Sequence, residues 1–530
     1  MKIKYSINEL ILISFISLFL IIPYNLQTIK NRFGFYYQED LIFYNLIIFL
    51  SEILITFCTI FLSFLIINFN QKLLKIFLTI LFFLSTVSFY ILNKYGTIFD
   101  EVMIANSLSS IGHINEVIDY YLTFYLLFGA IIPSIFVAKI NISNVKIKTK
   151  LLALFIVTAC LGSCILIAKK ETTKQIYTSY SPINYLGSFY KYFQRFHSTQ
   201  DKVKTRIDLD KIYDFNYNKE LENLNVVLIL GESLRADHLH INGYKRQTTP
   251  NLEKIKNLLN YQVKASFNTT TPSITSILSH RTKADFIDIP PEKSIISVFK
   301  NLGFKTYWYS AQSSKEFGNG MLNIMARETD DYFFIDRIRT TLKSNQKVYD
   351  EHLLPFFYKI LPNKGNKFIV LHSFGSHIRF NERSPEKFKI FRDECIGLAS
   401  SCEKPLVINS YDNSVFYTDH FISSVISSLK DTNSILFYIA DHGVFLGENN
   451  IYANGNSDQI DEKIHMVPMF IYMTDSVLKN KNYHKKFINA KSKIGTKNIS
   501  HDNVFDSIMD CVAIKSNSLK LDLSLCKKYK

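Results

Sequence analysis

The sequence predicts two folds in one chain: an N-terminal α-helical transmembrane domain of about five spans, and a C-terminal α/β domain on a mostly parallel central sheet. Three observations lead there. Before about residue 170 the chain is mostly Leu, Ile and Phe, and after about residue 200 it has the mixed, charged composition of a soluble domain. The first part breaks into apolar stretches of bilayer-spanning length. In the second, short β-rich runs alternate with helical stretches. The expected divisions are 1–168 for the membrane domain, 169–220 for an interfacial connector and 221–530 for the α/β domain.

The apolar stretches lie near 7–24, 41–68, 73–93, 118–138 and 151–168, each close to the roughly 20 residues that cross a bilayer as a helix. Almost no charge interrupts them, which separates them from buried helices of a soluble core. The first lacks a small-residue cleavage site and is followed by further spans, so it reads as a helix rather than a signal peptide. Basic residues fall at the N-terminus and in alternate loops: Lys2 and Lys4, then Lys72 and Lys75, then Lys139, Lys146, Lys148 and Lys150. By the positive-inside rule those segments are cytoplasmic. An odd number of spans then carries everything after Ala168 to the outside, into the periplasm or cell exterior.

The formal net charge is +15, but the lysines are dispersed and no nucleic-acid motif is present, so the charge suits an anionic membrane surface rather than nucleic acid. Of seven cysteines, Cys58, Cys160 and Cys164 sit in apolar stretches and read as packing. Cys395, Cys402, Cys511 and Cys526 fall in the outer domain, where an oxidising compartment permits disulfides; proximity in sequence pairs Cys395 with Cys402 and Cys511 with Cys526. The connector, with SYSPINYLGSFYKYFQRF, has the Tyr and Phe content of a segment lying along a membrane surface.

From Asn225 onward the β-rich runs are NVVLIL, TYWYS, KFIVLHS, SILFYIA and MFIYM. Sites in parallel sheets form beyond the carboxyl ends of the strands, so the residues that end these runs are the candidates. They are Gly231-Glu232-Ser233, Phe374-Gly375-Ser376-His377 and Asp441-His442-Gly443, with Ile464-His465 just before MFIYM. Two carboxylates and three imidazoles thus gather at one edge. As oxygen and nitrogen ligands without cysteine they suit an open, catalytic Zn²⁺ site, with Mn²⁺ as the lesser fit. SFNTTTPSITSILS at 266–279 supplies hydroxyls: Pro272 favours a helix start, which leaves the threonines at a positive dipole end that binds phosphate.

Together these motifs resemble the alkaline phosphatase and sulfatase superfamily, and within it the membrane-anchored phosphoethanolamine transferases that modify lipid A or the lipooligosaccharide core. The resemblance rests on VVLILGESLRADHLHINGYKRQTTPNL at 226–252, the Thr segment, VLHSFGSH at 370–377, YDNSVFYTD at 411–419, ADHGVFLGE at 440–448 and HMVP at 465–468. YGTIFDEVMIANSLSSIGHINEVID at 95–119 is similar to the family's extracytoplasmic segment between the third and fourth helices. The resemblance implies that Glu232, the nucleophilic threonine, Asp441 and His442 hold a catalytic zinc. It implies that His377 and His465 bind substrate or a second zinc, and that Tyr411, Asp412 and Asn413 help receive the ethanolamine or the sugar. Alignment selects Thr270 as nucleophile, with Thr269 and Thr271 as alternatives.

What it implies for function is a transfer of phosphoethanolamine from phosphatidylethanolamine to lipopolysaccharide or lipooligosaccharide through a phospho-threonine intermediate, by a multi-pass inner-membrane enzyme with a periplasmic catalytic domain. Two departures bear on the acceptor. No cysteine lies between Phe267 and Ser279, where many lipid A transferases have a disulfide, and Ile378-Arg379 replaces the usual Gly-Pro after the histidine. A core sugar and a lipid A phosphate are therefore both open. Competing readings are a phosphoglycerol-type headgroup transferase, a sulfatase-like hydrolase and an inactive membrane scaffold.

Overall fold

The computed structural model describes residues 2–26, 28–30, 42–95, 104, 120–140, 145, 147–167, 180–185, 187–190, 192–193, 205–312, 320–335, 347–397, 399–453 and 462–528. The chain forms two compact units that divide between Phe196 and His197. Apart from Tyr95 and Ile104, the expected extracytoplasmic segment at 95–119 lies outside the described residues, as do the side chains of Lys2, Lys4 and Cys164.

In the first unit the helices are α1 (Lys2–Ile21), α2 (Ile42–Ile67), α3 (Gln71–Tyr95), α4 (Tyr120–Leu126), α5 (Ile132–Lys139) and α6 (Ile147–Ile167), with a π-helical turn, Leu127–Ile131, joining α4 to α5. Among the described residues four segments are long and apolar enough to cross a membrane: Asn8–Asn25, Leu46–Ile67, Gln71–Asn93 and Tyr121–Lys139. Each of the five expected stretches is helical in whole or in part. The fifth stretch is helical as α6, but side chains at its C-terminal end lie outside the described residues.

Buried hydroxyls in these helices turn back on their own backbone, as an apolar solvent requires. Ser17 donates to Ile13 O and Thr86 to Phe82 O, at 2.8 and 2.7 Å. A Cβ on Gly129 would stand 2.6 Å from Thr86 Oγ1, so only glycine lets the π turn pack this closely on α3. Part of the expected connector packs into this unit. The Asn25 side-chain amide donates to Ser181 O and accepts from Ser181 N–H, both at 2.8 Å, and the Tyr180 hydroxyl donates to Glu52 at 3.0 Å.

The second unit is built on a seven-stranded sheet. Its strands are β1 (Asn225–Gly231), β2 (Leu258–Lys264), β3 (Lys305–Ser310), β4 (Asp331–Phe334), β5 (Lys367–His372), β6 (Ser434–Ala440) and β7 (Met466–Met473), in the spatial order β2-β7-β6-β1-β5-β3-β4. The pairs β6-β1, β1-β5, β5-β3 and β3-β4 are parallel, and β7 is antiparallel to both of its neighbours. The sheet is therefore mostly parallel, with one reversed strand. β1, β5 and β6 are buried along their whole length, which is why they read as unbroken apolar runs rather than alternating ones.

The reversal of β7 has a geometric consequence. It brings the start of β7 to the same edge as the carboxyl ends of the other strands, and β2, paired Lys264 to Met466, ends there too. Beyond β2 the chain runs into α7 (Thr270–Leu278), which buries Ile274, Ile277 and Leu278 at helical spacing. A long helix, α8 (Lys404–Leu429), buries Tyr411, Asp412, Asn413 and other residues of its inner face. β2 and β4 were not among the strand runs expected from sequence. The later part of the expected connector packs into this unit, where Asn216–Tyr217 pairs antiparallel with Ile514–Lys515. Disulfides join Cys395 to Cys402 and Cys511 to Cys526.

Candidate metal and nucleophile site

Gly231 of β1 pairs with Ala440 of β6, so the residues that follow both strands emerge side by side. They are Glu232 on one and Asp441 and His442 on the other, all buried to within 1 % exposure. A Cβ on Gly231 would lie 2.1 Å from the Tyr438 hydroxyl, which accounts for glycine at this strand end. The chain then turns at Ser233, whose φ of 56° is a left-handed value uncommon for a non-glycine residue. In this conformation Ser233 N–H donates to Asp441 Oδ1 at 3.0 Å and Ser233 Oγ donates to Glu232 Oε1 at 2.6 Å.

Thr270 arrives from β2 on the first turn of α7. Its hydroxyl donates to Glu232 Oε2 at 3.1 Å and lies 3.2 Å from His442 Nε2. Of the three threonines, it is Thr270 that reaches both groups. No side chain caps this helix start, so its first-turn amides and dipole face the same region. His442 Nδ1 is 2.7 Å from Gly443 O, which assigns the proton to Nδ1 and leaves the Nε2 lone pair facing Asp441 Oδ2 at 3.2 Å and Glu232 Oε1 at 3.6 Å.

Two carboxylates and an imidazole lone pair thus converge, with one atom from each inside a 4.8 Å span. Asp441 Oδ1 is occupied by backbone amides, whereas the buried Oδ2 has no hydrogen-bond partner. An orphaned carboxylate oxygen among acceptors is the donor set a cation needs. The electrostatics agree. Burial works to raise the Glu232 carboxyl, but the imidazoles of His442, His377 and His372 with the Ser233 hydroxyl outweigh it and hold it down at about 2. Burial, then the neighbouring Glu232 charge, pushes Asp441 up to about 7. Burial alone would lower His442, and the Asp441 and Glu232 charges raise it instead, so the field here favours positive charge.

His377 and His465 fall outside the three-residue cluster found among the described residues. His377 bears on Glu232 through its charge and stacks on Phe374 at 5.4 Å. The backbone carbonyl of His465 accepts from Ala265 N–H at 2.6 Å, which ties the start of β7 to the Thr270 segment. The expectation that Tyr411, Asp412 and Asn413 receive ethanolamine or sugar is corrected. All three are fully buried in α8 and engaged internally: Tyr411 with the Glu232 turn, Asp412 with His238, Tyr244 and Arg246, and Asn413 with Phe391 and Glu394.

Several residues around the site escaped the sequence reading. Gln312 Nε2 donates to Glu232 Oε2 at 3.2 Å and to Ser373 O at 2.9 Å; it stands two residues beyond β3, so the strand-end rule, applied to TYWYS, could have found it. Asp350 accepts from the amides of Phe374 and Gly375 and so fixes the turn that carries His377. His501 bridges Ser266 N–H, upstream of Thr270, to Ala440 O, beside Asp441, at 3.3 and 3.1 Å. No sequence signal marks Asp350 or His501, because their partners are remote in the chain.

Residues 224–514 match the sulfatase family model, and residues 54–196 match the phosphoethanolamine transferase EptA/EptB model. The chain is 31% identical over 358 residues to Kdo(2)-lipid A phosphoethanolamine 7''-transferase of Escherichia coli (strain K12), an alignment covering 64% of this chain and 60% of that protein. Its fold is similar to that of the integral membrane lipooligosaccharide phosphoethanolamine transferase A from Neisseria meningitidis, with TM-score 0.82, 20% identity and coverage of 98% of this chain and 99% of that one. The second unit is also similar to the periplasmic domain of EptC from Escherichia coli solved in complex with Zn, with TM-score 0.51, 21% identity and coverage of 60% and 90%. With its apolar helices and these matches, the protein is a membrane protein. The chain belongs to the sulfatase family, in the membrane-anchored branch whose N-terminal segment is of the phosphoethanolamine transferase EptA/EptB type.

Proposed function

We propose that this protein transfers phosphoethanolamine from phosphatidylethanolamine to lipopolysaccharide or lipooligosaccharide, on a lipid A phosphate or a core sugar, in two steps through Thr270. The observation that carries this reading is the Thr270 hydroxyl, held between Glu232 and His442 at the start of α7. The similarity to a Kdo(2)-lipid A phosphoethanolamine transferase supports the substrate class.

Glu232, Asp441, His442 and the Thr270 oxygen would hold one zinc ion, in keeping with the oxygen and nitrogen donor set and with the Zn complex of the EptC domain. When bound, the ion lowers the pKa of the threonine hydroxyl and screens charge on phosphate oxygens. In the first step Thr270 Oγ1 bonds to phosphorus as the bond to the diacylglycerol oxygen breaks. The hydroxyl proton ends on the diacylglycerol oxygen that leaves. In the second step an acceptor oxygen bonds to phosphorus, the Thr270 oxygen leaves, and the acceptor's proton returns to it. The uncapped amides of α7 offer donors to the nonbridging oxygens in both steps.

The basic residues that alternate between the spans support cytoplasmic loops and a periplasmic catalytic unit on the inner membrane. Mass spectrometry of lipopolysaccharide from cells with and without the gene tests the reading: one added phosphoethanolamine is expected, and its position identifies the acceptor. Unchanged lipopolysaccharide, with a phosphoglycerol or sulfate ester turned over instead, would replace it.

A further inference from the structure

Tyr411 sits on α8, 178 residues from Ser233 in sequence, with no exposed surface. Its hydroxyl donates to Ser233 O at 2.8 Å and accepts from Arg235 N–H at 2.8 Å. One phenol oxygen therefore spans the turn that follows Glu232. The ring cannot easily swing away, because Phe380 and His238 pack edge-on against it at 5.1 and 5.0 Å.

The spanned turn governs both carboxylates of the cluster. Its Ser233 amide orients Asp441 Oδ1, its Ser233 hydroxyl orients Glu232 Oε1, and both bonds are made with Ser233 at a left-handed φ. Such a conformation persists in a serine only where the surroundings hold it. Arg235 secures the far end of the turn through its side chain, paired with Asp237 and Glu448, and Ser376 N–H holds the Glu232 carbonyl at its start, while the Ser233 carbonyl is held by Tyr411.

We propose that Tyr411 is a positioning residue of the metal site: its hydroxyl locks the Ser233 turn, and through it sets the directions of the Glu232 and Asp441 carboxylates. The inference rests on the reading of Glu232, Asp441 and His442 as metal ligands. Loss of the hydroxyl removes no ligand. It lets Ser233 relax toward negative φ, which turns its amide from Asp441 and its hydroxyl from Glu232.

The test uses the full chain in detergent, with zinc affinity measured by competition against a chromophoric chelator. Tyr411→Phe is expected to weaken zinc binding about ten- to a hundredfold, the usual range for groups that orient ligands. Transfer activity should fall at limiting zinc and recover at saturating zinc. Asn413→Ala, which breaks buried bonds to Phe391 and Glu394 on the same helix without touching the turn, should bind zinc like the wild type. On a Ser233→Gly background, where glycine accepts the left-handed φ freely, Tyr411→Phe should cost less affinity than on the native one; this double variant also serves if the single variant does not fold. Wild-type affinity in folded Tyr411→Phe, an equal loss in Asn413→Ala, or activity that stays lost at saturating zinc would each overturn the proposal. A wild-type chain that binds no zinc would instead overturn the metal reading beneath it.

Discussion

Thr270 and the three acceptors around it separate cleanly by experiment. Thr270→Ala removes the hydroxyl while leaving Glu232, Asp441 and His442, so transfer should fall by on the order of 10⁴-fold or more, as for other covalent nucleophiles, with metal still bound. Metal analysis beside a transfer assay checks both halves, and wild-type turnover in the variant would point to direct attack by the acceptor. Asp441→Ala and His442→Ala should do the reverse and lose the metal. His501 offers a pH test. Burial pushes its imidazole from 6.5 down to about 3, against the hydrogen bond to Ala440 O, which favours the charged ring, and with the help of the neighbouring His442, His465 and Lys283. The unfolded chain then binds a proton that the folded one refuses, so the stability His501 contributes is full above pH 6.5 and is lost as pH falls toward 3. The advantage in Tm of the wild type over His501→Gln should shrink between pH 7 and 4.5; an equal advantage at both values would count against it.

Strand ends aim these side chains, and the aim depends on packing just behind them. Gly231→Ala would drive a methyl into the Tyr438 ring and hydroxyl, costing about 1–3 kcal/mol as overpacking and shifting Glu232. Tyr438→Phe alone should be nearly neutral, since among the described residues its buried hydroxyl has no partner to lose. Thermal unfolding of the two variants distinguishes them. The bond from Cys511 to Cys526 closes a loop with a separation of 15, worth about 3 kcal/mol through the unfolded chain. Replacing both cysteines by Ala should lower stability by about that amount in denaturant unfolding under oxidising conditions.

Across the whole chain, the apolar helices and the seven-stranded sheet belong to separate compact units. With the basic loops inside, a phosphatase reporter fused to the C-terminus should be active in the periplasm and a fluorescent cytoplasmic reporter at the same point silent. The opposite pattern would invert the topology. A periplasmic catalytic unit also fits the two disulfides it contains, which persist in oxidising compartments.

The Asp441-His442 pair was legible because an apolar run of fully buried residues stops abruptly at charged ones, and in a parallel sheet that stop falls at the working edge. The same logic reached Glu232 and His377, and the local chemistry of Pro272 pointed to a helix start beside the threonines. β2 and β4 went unread: one is partly exposed and alternating, the other only four residues long. What no local pattern contains is long-range pairing. The reversal of β7, the meeting of Gly231 with Ala440, the approach of Thr270 to Glu232 and His442, and the engagement of Tyr411 and His501 all join residues far apart in the chain. The sequence by itself determined which side chains stand at strand ends and helix starts, because periodicity, burial and turn chemistry act over a few residues. Only the tertiary structure decided which of them meet, because ångström-scale convergence depends on strand order and helix packing.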